Sequence, residues 1–438
     1  MKTLTVKLKQ HTPLIHFQHD QYGATLRASE VKPKLDRFIL TKLGNGDYKK
    51  GCDEAHKNKW LIGEHNALNY KMKIIAPEVE YWDINEKQRY TRWHEQRNRP
   101  FINLENNRYL AKQRRVDGKM ILDLKSYPLF FANMDADYTD NDEYRKFSFT
   151  EELLEVRIIF SQKFEDLYEY INNPELLNDF WYNTNFGTRQ SKGFGSFSID
   201  RDDPLYLPWQ SQYRFEVRDL QNVEYLEDVY NKLFSDIELF YKTLRGGINL
   251  KNRNRETVFY FKSLAYKYAH GCLQAKWDKR VIKETFYGID HEKMPYEYDV
   301  RDMLGFSTNE QWLSYGDSII KTSTVADRMQ SPIMFKPIYE FGNDDKSERF
   351  VVNIVFQDDK VNMQGFKDGK MINVRNRNGH TVNIQLPQQF SAESLFRYIF
   401  IDMNFDIYTH VENEYQNHEY FDILEDIYTQ IKNNIEQK

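Results

Sequence analysis

Cysteine is nearly absent from this sequence, and the two cysteines present lie far apart. Cys52 and Cys272 are the only ones among 438 residues. A pair so widely separated supplies neither the disulfide framework of a small secreted domain nor the clustered thiolates of a zinc site. We therefore expect a protein of the reducing cytoplasm that carries no metal and no other cofactor.

Long apolar runs are also missing. No stretch approaches the roughly 20 consecutive apolar residues that a membrane-spanning helix needs. The N-terminus, Met1-Lys2-Thr3-Leu4-Thr5-Val6, lacks the apolar centre of a signal peptide, and its alternation of apolar and polar residues predicts a β-strand. We therefore expect no membrane partner.

A strong net charge is absent, but charge is unevenly distributed. The formal net charge is −5, so there is no overall basic signature of nucleic-acid binding. Residues 86–125 nevertheless hold eleven Lys and Arg against five Asp and Glu, and residues 245–283 hold ten against two. Residues 393–438 reverse this, with three against ten. Because local charge guides binding more than the total does, a polyanionic partner stays possible.

Glycine is scarce, with 19 residues in all, so the cluster Gly187-Thr188-Arg189-Gln190-Ser191-Lys192-Gly193-Phe194-Gly195 is informative. Glycine lets a ligand approach the main chain closely. Arg189 and Lys192 are suited to phosphate, and Phe194 offers a ring that either stacks on a base or anchors the loop. The spacing is neither that of a phosphate-binding Walker loop nor that of a dinucleotide fingerprint. Nucleotide hydrolysis is therefore not expected.

A second basic segment opens a predicted helix over residues 26–43. Arg27, Lys32 and Lys34 lie at its start, where free N–H groups and the helix dipole attract anions. Ser29 is expected to cap the helix, and Pro33 to fall in its first turn. This segment is the second candidate for contact with phosphate.

The remaining pattern predicts an α+β protein. Apolar periodicity indicates strands near 3–17, 70–75, 154–160, 213–220, 333–339, 350–356 and 381–386. It indicates a helix over 164–182 that is broken around Pro174. It also indicates helices over 225–244, over 259–286 and in the last 45 residues, whereas residues 44–66 are predicted to be a loop. The strand, helix, strands, helix, strand order of the first half is that of a βαββαβ unit with an enlarged middle.

Histidine supports an alternative. His11, His16 and His19 lie close together in the sequence, and paired histidines can cleave RNA without metal by general acid–base catalysis. A metal-independent endoribonuclease that uses His16 or His19 is therefore the alternative function. A third hypothesis is a protein-binding module whose acidic tail docks on a basic partner.

These motifs together resemble the RAMP superfamily of type III CRISPR effector subunits. Thr12-Pro13-Leu14 followed by the basic helix start is similar to the first strand and helix of that family, and residues 187–195 are similar to its glycine-rich loop. Arg328-Met329-Gln330-Ser331-Pro332 resembles an element of a two-domain member, the first subunit of the Cmr-type complex. Pro33 departs from the family pattern, which usually has glycine there.

The resemblance implies tandem ferredoxin-like (RRM-like) domains, at residues 1–205 and 206–438, the first with an insertion and the second with an acidic helical end. It implies a subunit that binds guide or target RNA without chemistry of its own, alongside other effector subunits. No residue is then expected to be catalytic. The residues expected to contact RNA are Arg27, Ser29, Lys32, Lys34, Gly187, Arg189, Lys192, Gly193, Phe194 and Gly195.

Overall fold

A computed structural model describes residues 1–15, 26–63, 65–76, 80–82, 112–116, 119–123, 147–150, 152–218, 220, 226–252, 254–306, 308–312, 317–323, 329–341, 348–358 and 371–437. The chain divides into two compact units. Unit 1 comprises Met1–Ser211, Glu216–Phe234 and Phe335–Asn353, and unit 2 comprises Gln212–Phe215, Ser235–Met334 and Ile354–Lys438. The predicted domain boundary at 205/206 stays a prediction.

Unit 1 is built on an antiparallel sheet. The strands of residues 1–211 are β1 (Lys2–Gln10), β2 (Leu14–Ile15), β3 (Lys71–Ile75), β4 (Glu80–Trp82), β5 (Lys112–Val116), β6 (Lys119–Asp123), β7 (Phe147–Phe149), β8 (Leu154–Phe160) and β9 (Phe197–Ile199). The main sheet has the order β3–β8–β1–β9, and each neighbouring pair is antiparallel. The smaller sheets are β2–β7–β4 and β5–β6. The strands predicted over 70–75 and 154–160 are thus confirmed.

The helices of unit 1 cover the main sheet. They are α1 (Ala28–Leu43), α2 (Tyr48–Lys57), α3 (Glu165–Ile171) and α4 (Pro174–Tyr182). The buried positions of α1 include Val31, Leu35 and Ile39, four residues apart, which place one face of the helix in the core. The break predicted at Pro174 is confirmed, since Asn173 caps α4 and Pro174 is its first residue.

Two local predictions in unit 1 are wrong. The predicted loop 44–66 contains α2, whose start is capped by Asp47 through the N–H groups of Lys49 and Lys50. Ser29 is not the cap of α1: the helix begins one residue after Arg27, whose carbonyl accepts the N–H of Val31. Pro33 therefore lies in the second turn rather than the first.

The remaining strands and helices belong to unit 2, except for the parts that fall within residues 216–234 and 335–353 of unit 1. The strands are β10 (Arg214–Val217), β11 (Ile248–Lys251), β12 (Thr257–Phe261), β13 (Ala275–Trp277), β14 (Tyr296–Tyr298), β15 (Asn309–Trp312), β16 (Asp317–Thr322), β17 (Ile333–Phe341), β18 (Glu348–Phe356), β19 (Met371–Asn376) and β20 (Thr381–Gln385). The helices are α5 (Leu226–Arg245), α6 (Leu264–Gly271), α7 (Asp278–Tyr287), α8 (Ala392–Arg397), α9 (Ile407–His410) and α10 (Glu419–Glu436). The sheets have the orders β13–β14–β20–β19–β16–β15, β10–β18–β17 and β11–β12. The protein is therefore mixed α+β, as predicted.

The single helix predicted over residues 259–286 is wrong. This stretch forms β12, α6, β13 and α7 in succession. Ser263 caps α6 through the N–H of Tyr266, and the short strand β13 pairs in parallel with β14. The apolar period continues across these elements because each has a buried face, so periodicity alone does not reveal the breaks.

Unit 2 encloses a network of buried charges. Arg301, which is 2% exposed, pairs with Asp278 (2.7 Å) and with Glu310. Lys321 pairs with Asp302 (2.6 Å) and lies 3.7 Å from Asp299. Burial, with Asp302 beside it, raises the pKa of Asp299 well above its ordinary value. This shift favours the protonated form of Asp299, which reduces the number of uncompensated carboxylates in this interior.

Candidate nucleic-acid interface

The glycine-rich loop is held by the end of β1 and the start of β2. The N–H of Gly195 donates to the carbonyl of Pro13 (2.9 Å). The hydroxyl of Thr12 donates to the carbonyl of Gly193 (2.7 Å) and accepts the N–H of Ser196 (2.9 Å). The Thr12-Pro13-Leu14 segment, chosen from the sequence as part of the same motif set, thus fixes the base of the loop.

The backbone of the loop needs the left-handed region in several places. Gly187 has φ 74°, Gly193 has φ 93° and Gly195 has φ 63°. Arg189 also has a positive φ, 55°, and immediately precedes a 3₁₀ turn over Gln190–Lys192. A non-glycine residue in this region is uncommon and carries strain, so the loop holds Arg189 in a defined position.

The start of α1 lies directly beside this loop. The N–H of Gly187 donates to Oε1 of Glu30 (2.7 Å). Nζ of Lys34 donates to the carbonyl of Asn185 (3.0 Å) and to Oε1 of Gln190 (3.1 Å). The two segments predicted to contact phosphate, separated by about 150 residues in sequence, are therefore joined by hydrogen bonds within unit 1.

Lys34 links α1 to the glycine-rich loop. Its ammonium lies 4.7 Å from the centroid of the Phe186 ring, in addition to its contacts with Asn185 and Gln190. Burial lowers the pKa of Lys34, and the nearby Glu30 carboxylate opposes that change. The side chain is positioned by the protein and in turn positions the loop.

Lys32 faces a different set of partners. Its Nζ pairs with Asp36 (2.6 Å), donates to the carbonyl of Leu68 (2.9 Å) and lies 4.1 Å from the centroid of the Tyr70 ring. These contacts fasten α1 to the chain segment that leads into β3. Lys32 therefore sits among internal partners, whereas Ser29 is exposed and Arg27 is half-buried.

Phe194 requires a correction. Its ring is fully buried and stacks on Phe234, with centroids 3.9 Å apart and an angle of 6° between the rings. A base cannot reach a ring enclosed in this way. Of the two roles expected for Phe194, the geometry leaves that of a hydrophobic anchor for the loop.

Arg189 and Lys192 are half-buried at the surface of the loop. The N-cap residue of α1, Arg27, makes no side-chain capping hydrogen bond. The helix start and the loop thus carry Arg27, Ser29, Arg189 and Lys192 on two segments that are in contact. This arrangement suits an anionic chain, because helix N-termini and cations both favour phosphate.

His11 is not arranged as a catalytic group. Its Nδ1 accepts the N–H of Tyr339 (3.1 Å), so Nε2 carries the proton and donates it to the hydroxyl of Ser198 (2.7 Å). Complete burial lowers its pKa well below the ordinary value. His11 is therefore a neutral residue that joins β1, β9 and β17. His16 and His19, the residues of the endoribonuclease hypothesis, lie outside the described residues.

Two residues that support the loop were missed in the sequence. Asn185 donates through Nδ2 to the carbonyls of Gln190 and Phe335, both at 2.8 Å. Lys336, which is fully buried, donates to the carbonyls of Thr184 (2.9 Å) and Phe197 (2.7 Å). A lysine inside the apolar run Ile333-Met334-Phe335-Lys336-Pro337-Ile338 is the signal that identifies such a position.

The other sequence motifs contribute less to this interface. Arg328 of the downstream motif lies outside the described residues, and Ser331 accepts the N–H of Ile333 at the start of β17 (3.2 Å). In the part of the chain that the structure describes, no group of three or more His, Cys, Asp or Glu side chains is arranged to hold a metal ion. None of its helices is long and apolar enough to cross a membrane.

Comparison with protein families places the chain among the RAMP subunits of type III CRISPR effectors. Within that class it belongs to the Cmr1 family: the Cmr1 N-terminal domain matches residues 1–248, and the Cmr1 C-terminal domain matches residues 260–433. The resemblance to the first subunit of the Cmr-type complex is thus confirmed. No curated protein matches the chain.

Proposed function

We propose that this Cmr1-family subunit binds guide or target RNA through the sugar–phosphate backbone, at the surface formed by the start of α1 and the glycine-rich loop. The observation that carries the proposal is the docking of these two segments through Gly187, Glu30 and Lys34. The subunit works without chemistry of its own, together with other subunits of the effector complex.

The strand order of unit 1 supports a ferredoxin-like architecture. In chain order, β1, α1, β3, β8, the α3–α4 pair and β9 follow a βαββαβ pattern, and the sheet order β3–β8–β1–β9 is antiparallel throughout. We infer that the second family domain repeats this architecture, which gives the tandem arrangement that the resemblance implies.

The proposed contacts differ in kind. Arg27, Arg189 and Lys192 neutralise phosphates, and Ser29 contacts the sugar–phosphate chain from the exposed start of α1, whereas Gly187, Gly193 and Gly195 shape the loop. Lys32 and Lys34 have internal partners and act by positioning. Contacts to the sugar–phosphate backbone carry no sequence information, so in this proposal sequence is read by pairing between guide and target.

A salt titration of RNA affinity tests the proposal. Each phosphate contact on a single strand contributes about 0.7 to the slope of log affinity against log salt concentration. Arg189→Ala combined with Lys192→Ala should therefore lower affinity and flatten the slope by about 1.4 units. The matched control is Lys49→Ala with Lys50→Ala, which removes the same charge from exposed positions on α2.

The control variant should keep nearly the parental slope, and both variants should show parental circular dichroism. Equal slopes for the loop variant and the parent would reject the phosphate contacts. Equal losses in the loop variant and the control would show that only overall charge matters, which rejects this location.

A further inference from the structure

Unit 1 contains a second feature that the backbone-binding surface does not use. It is a cleft of about 250 Å³ lined by residues of β1, β9, β17 and β18 and, on another side, by residues within 200–210. The residues that matter for its chemistry are Lys9, Arg201, Trp209, Tyr339, Glu340 and Asn353. All belong to unit 1.

The aromatic wall of the cleft is held in place. The Trp209 ring stacks on the buried Tyr182 ring, with centroids 4.8 Å apart and 21° between the planes. The hydroxyl of Tyr182 donates to the carbonyl of Leu207 (3.3 Å), and the N–H of Ser211 donates to Oδ1 of Asn353 (2.8 Å). The segment that carries Trp209 is thus fixed on both sides, so the cleft is formed before any ligand enters.

Charges of both signs line the same cleft. Nζ of Lys9 lies 5.7 Å from the centroid of the Tyr339 ring, and burial lowers the pKa of Lys9. Arg201 pairs with Glu340 (2.9 Å), which is also 3.4 Å from Arg349. Together the lining offers a flat ring, a partly desolvated ammonium and a positioned carboxylate.

The size and charge of the cleft exclude several occupants. Its volume lies below the usual range of about 300–1,000 Å³ for pockets that hold drug-sized ligands, so one ring system fits and an oligonucleotide does not. Three lining carboxylates, on Asp200, Asp202 and Glu340, outnumber the cations of Lys9 and Arg201, which disfavours a phosphate group. A small ligand cation would compete with Lys9, which already lies over Tyr339. An apolar side chain would desolvate Lys9 without offering an acceptor.

We propose that this cleft binds a single purine base, guanine in preference to adenine, from an unpaired nucleotide of single-stranded RNA. The base stacks on an aromatic wall of the cleft, at Trp209. Guanine presents the O6 and N7 acceptors, which suit the ammonium of Lys9, and N–H donors, which suit the carboxylate of Glu340. Adenine offers an amino donor where guanine has O6, so it matches the ammonium less well.

The test uses the full chain and free mononucleotides, which separates this site from backbone binding. Isothermal titration should show saturable binding of guanosine monophosphate, at least about ten-fold tighter than of adenosine or uridine monophosphate, a difference of about 1.4 kcal/mol. Ribose 5-phosphate should not bind, because the base and not the phosphate enters. Binding of ribose 5-phosphate as tight as that of guanosine monophosphate would overturn the proposal.

Two variants localise the binding. Trp209→Leu removes the stacking ring and keeps an apolar side chain. It should weaken the binding of guanosine monophosphate by about ten-fold or more. Lys9→Met removes the ammonium and should reduce the preference for guanine over adenine. The controls are Tyr408→Leu and Lys49→Met, which change an exposed ring and an exposed ammonium that do not line the cleft.

The outcomes also separate this inference from the proposed function. Weaker binding of guanosine monophosphate by Trp209→Leu and a smaller preference for guanine in Lys9→Met, with the backbone-dependent salt slope unchanged, support the cleft site. No detectable mononucleotide binding by the parent protein overturns the cleft site whatever the loop variants do. Binding that persists in both variants places the base elsewhere and also overturns it, as does saturation of the cleft by a peptide instead of a nucleotide.

Discussion

Gly195 shows how a single residue sets the shape of the loop. Its φ is 63°, and a Cβ built there would lie 2.0 Å from the carbonyl oxygen of Phe186. That oxygen belongs to the main chain, so it cannot move away without moving the base of the loop. The N–H of Phe186 donates to the carbonyl of Gly195 (3.0 Å) and holds the same two residues together. Both conformation and space therefore require glycine at this position.

We expect Gly195→Ala to destabilise unit 1 far more than Gly46→Ala. Gly46 also has a positive φ, 94°, but no atom lies within 4 Å of the position that a Cβ would take there, so only backbone strain of about 1–2 kcal/mol opposes alanine. Thermal unfolding measures the difference, and RNA affinity should fall only for Gly195→Ala. Equal shifts in melting temperature would show that the contact with Phe186 is unimportant.

A second prediction at the scale of single residues concerns the buried aspartates of unit 2. Asp299→Asn should be neutral or stabilising, because burial raises the pKa of Asp299 and disfavours its charged form, and asparagine keeps an acceptor for the N–H of Asp302. A raised carboxyl pKa in the folded state costs stability progressively as pH rises above about 4. The gain from Asp299→Asn should therefore grow with pH.

Asp302→Asn is the matched comparison. Neighbouring cations, Lys321 first, keep the pKa of Asp302 below its ordinary value against the effect of burial. Removing its charge leaves Lys321 and Arg245 short of a counter-ion, and breaking such a buried pair costs about 3–5 kcal/mol. Urea denaturation of both variants at several pH values is the measurement. Equal destabilisation by the two substitutions would contradict a raised pKa for Asp299.

Docking of α1 on the glycine-rich loop is the feature on which the proposed function depends at the scale of elements. Glu30→Ala removes the acceptor for the N–H of Gly187 and one partner of Lys34. Electrostatics alone predicts tighter RNA binding, because a negative charge is lost. Loss of docking predicts weaker RNA binding, because the loop is no longer held. We expect this second effect to dominate. RNA affinity should fall by about five- to ten-fold, which corresponds to a hydrogen bond worth about 1 kcal/mol or slightly more.

Glu54→Ala is the control for that substitution. Glu54 lies on α2 and pairs with Lys57 (2.9 Å), so its loss removes the same charge without touching the loop. RNA affinity should be unchanged or slightly higher in this variant. Tighter binding by Glu30→Ala, as by the control, would show that docking does not limit affinity.

The sequence predicted these two segments because each has a local signal, whereas their packing has none. Glycine spacing and the cations of residues 187–195 are visible in the sequence, as is the basic start of α1. The hydrogen bonds through Glu30 and Lys34 join residues more than 150 positions apart, and no periodicity records them. For the same reason α2 and the breaks inside 259–286 were missed, since caps such as Asp47 and Ser263 act over three residues.

At the scale of the whole molecule, each unit contains a histidine that folding keeps neutral. His11 belongs to unit 1 and His410 to unit 2. Burial lowers the pKa of His410 to about 4, and its Nε2–H donates to the carbonyl of Lys262 (2.8 Å). His11 is shifted in the same direction by complete burial. Mild acid should therefore lower the free energy of unfolding of both units.

The direction of this pH dependence follows from the number of protons that the folded and unfolded states bind. Between pH 6.5 and 4 the unfolded chain protonates His410 while the folded chain does not, so stability is full above pH 6.5 and falls as pH decreases. From pH 7 to pH 5 the loss is about 2 kcal/mol for His410. His410→Gln keeps a donor for Lys262 and should flatten the pH dependence of urea denaturation, whereas His56→Gln, at an exposed position on α2, should not. A pH dependence that is the same in all three proteins would show that His410 is not kept neutral by folding.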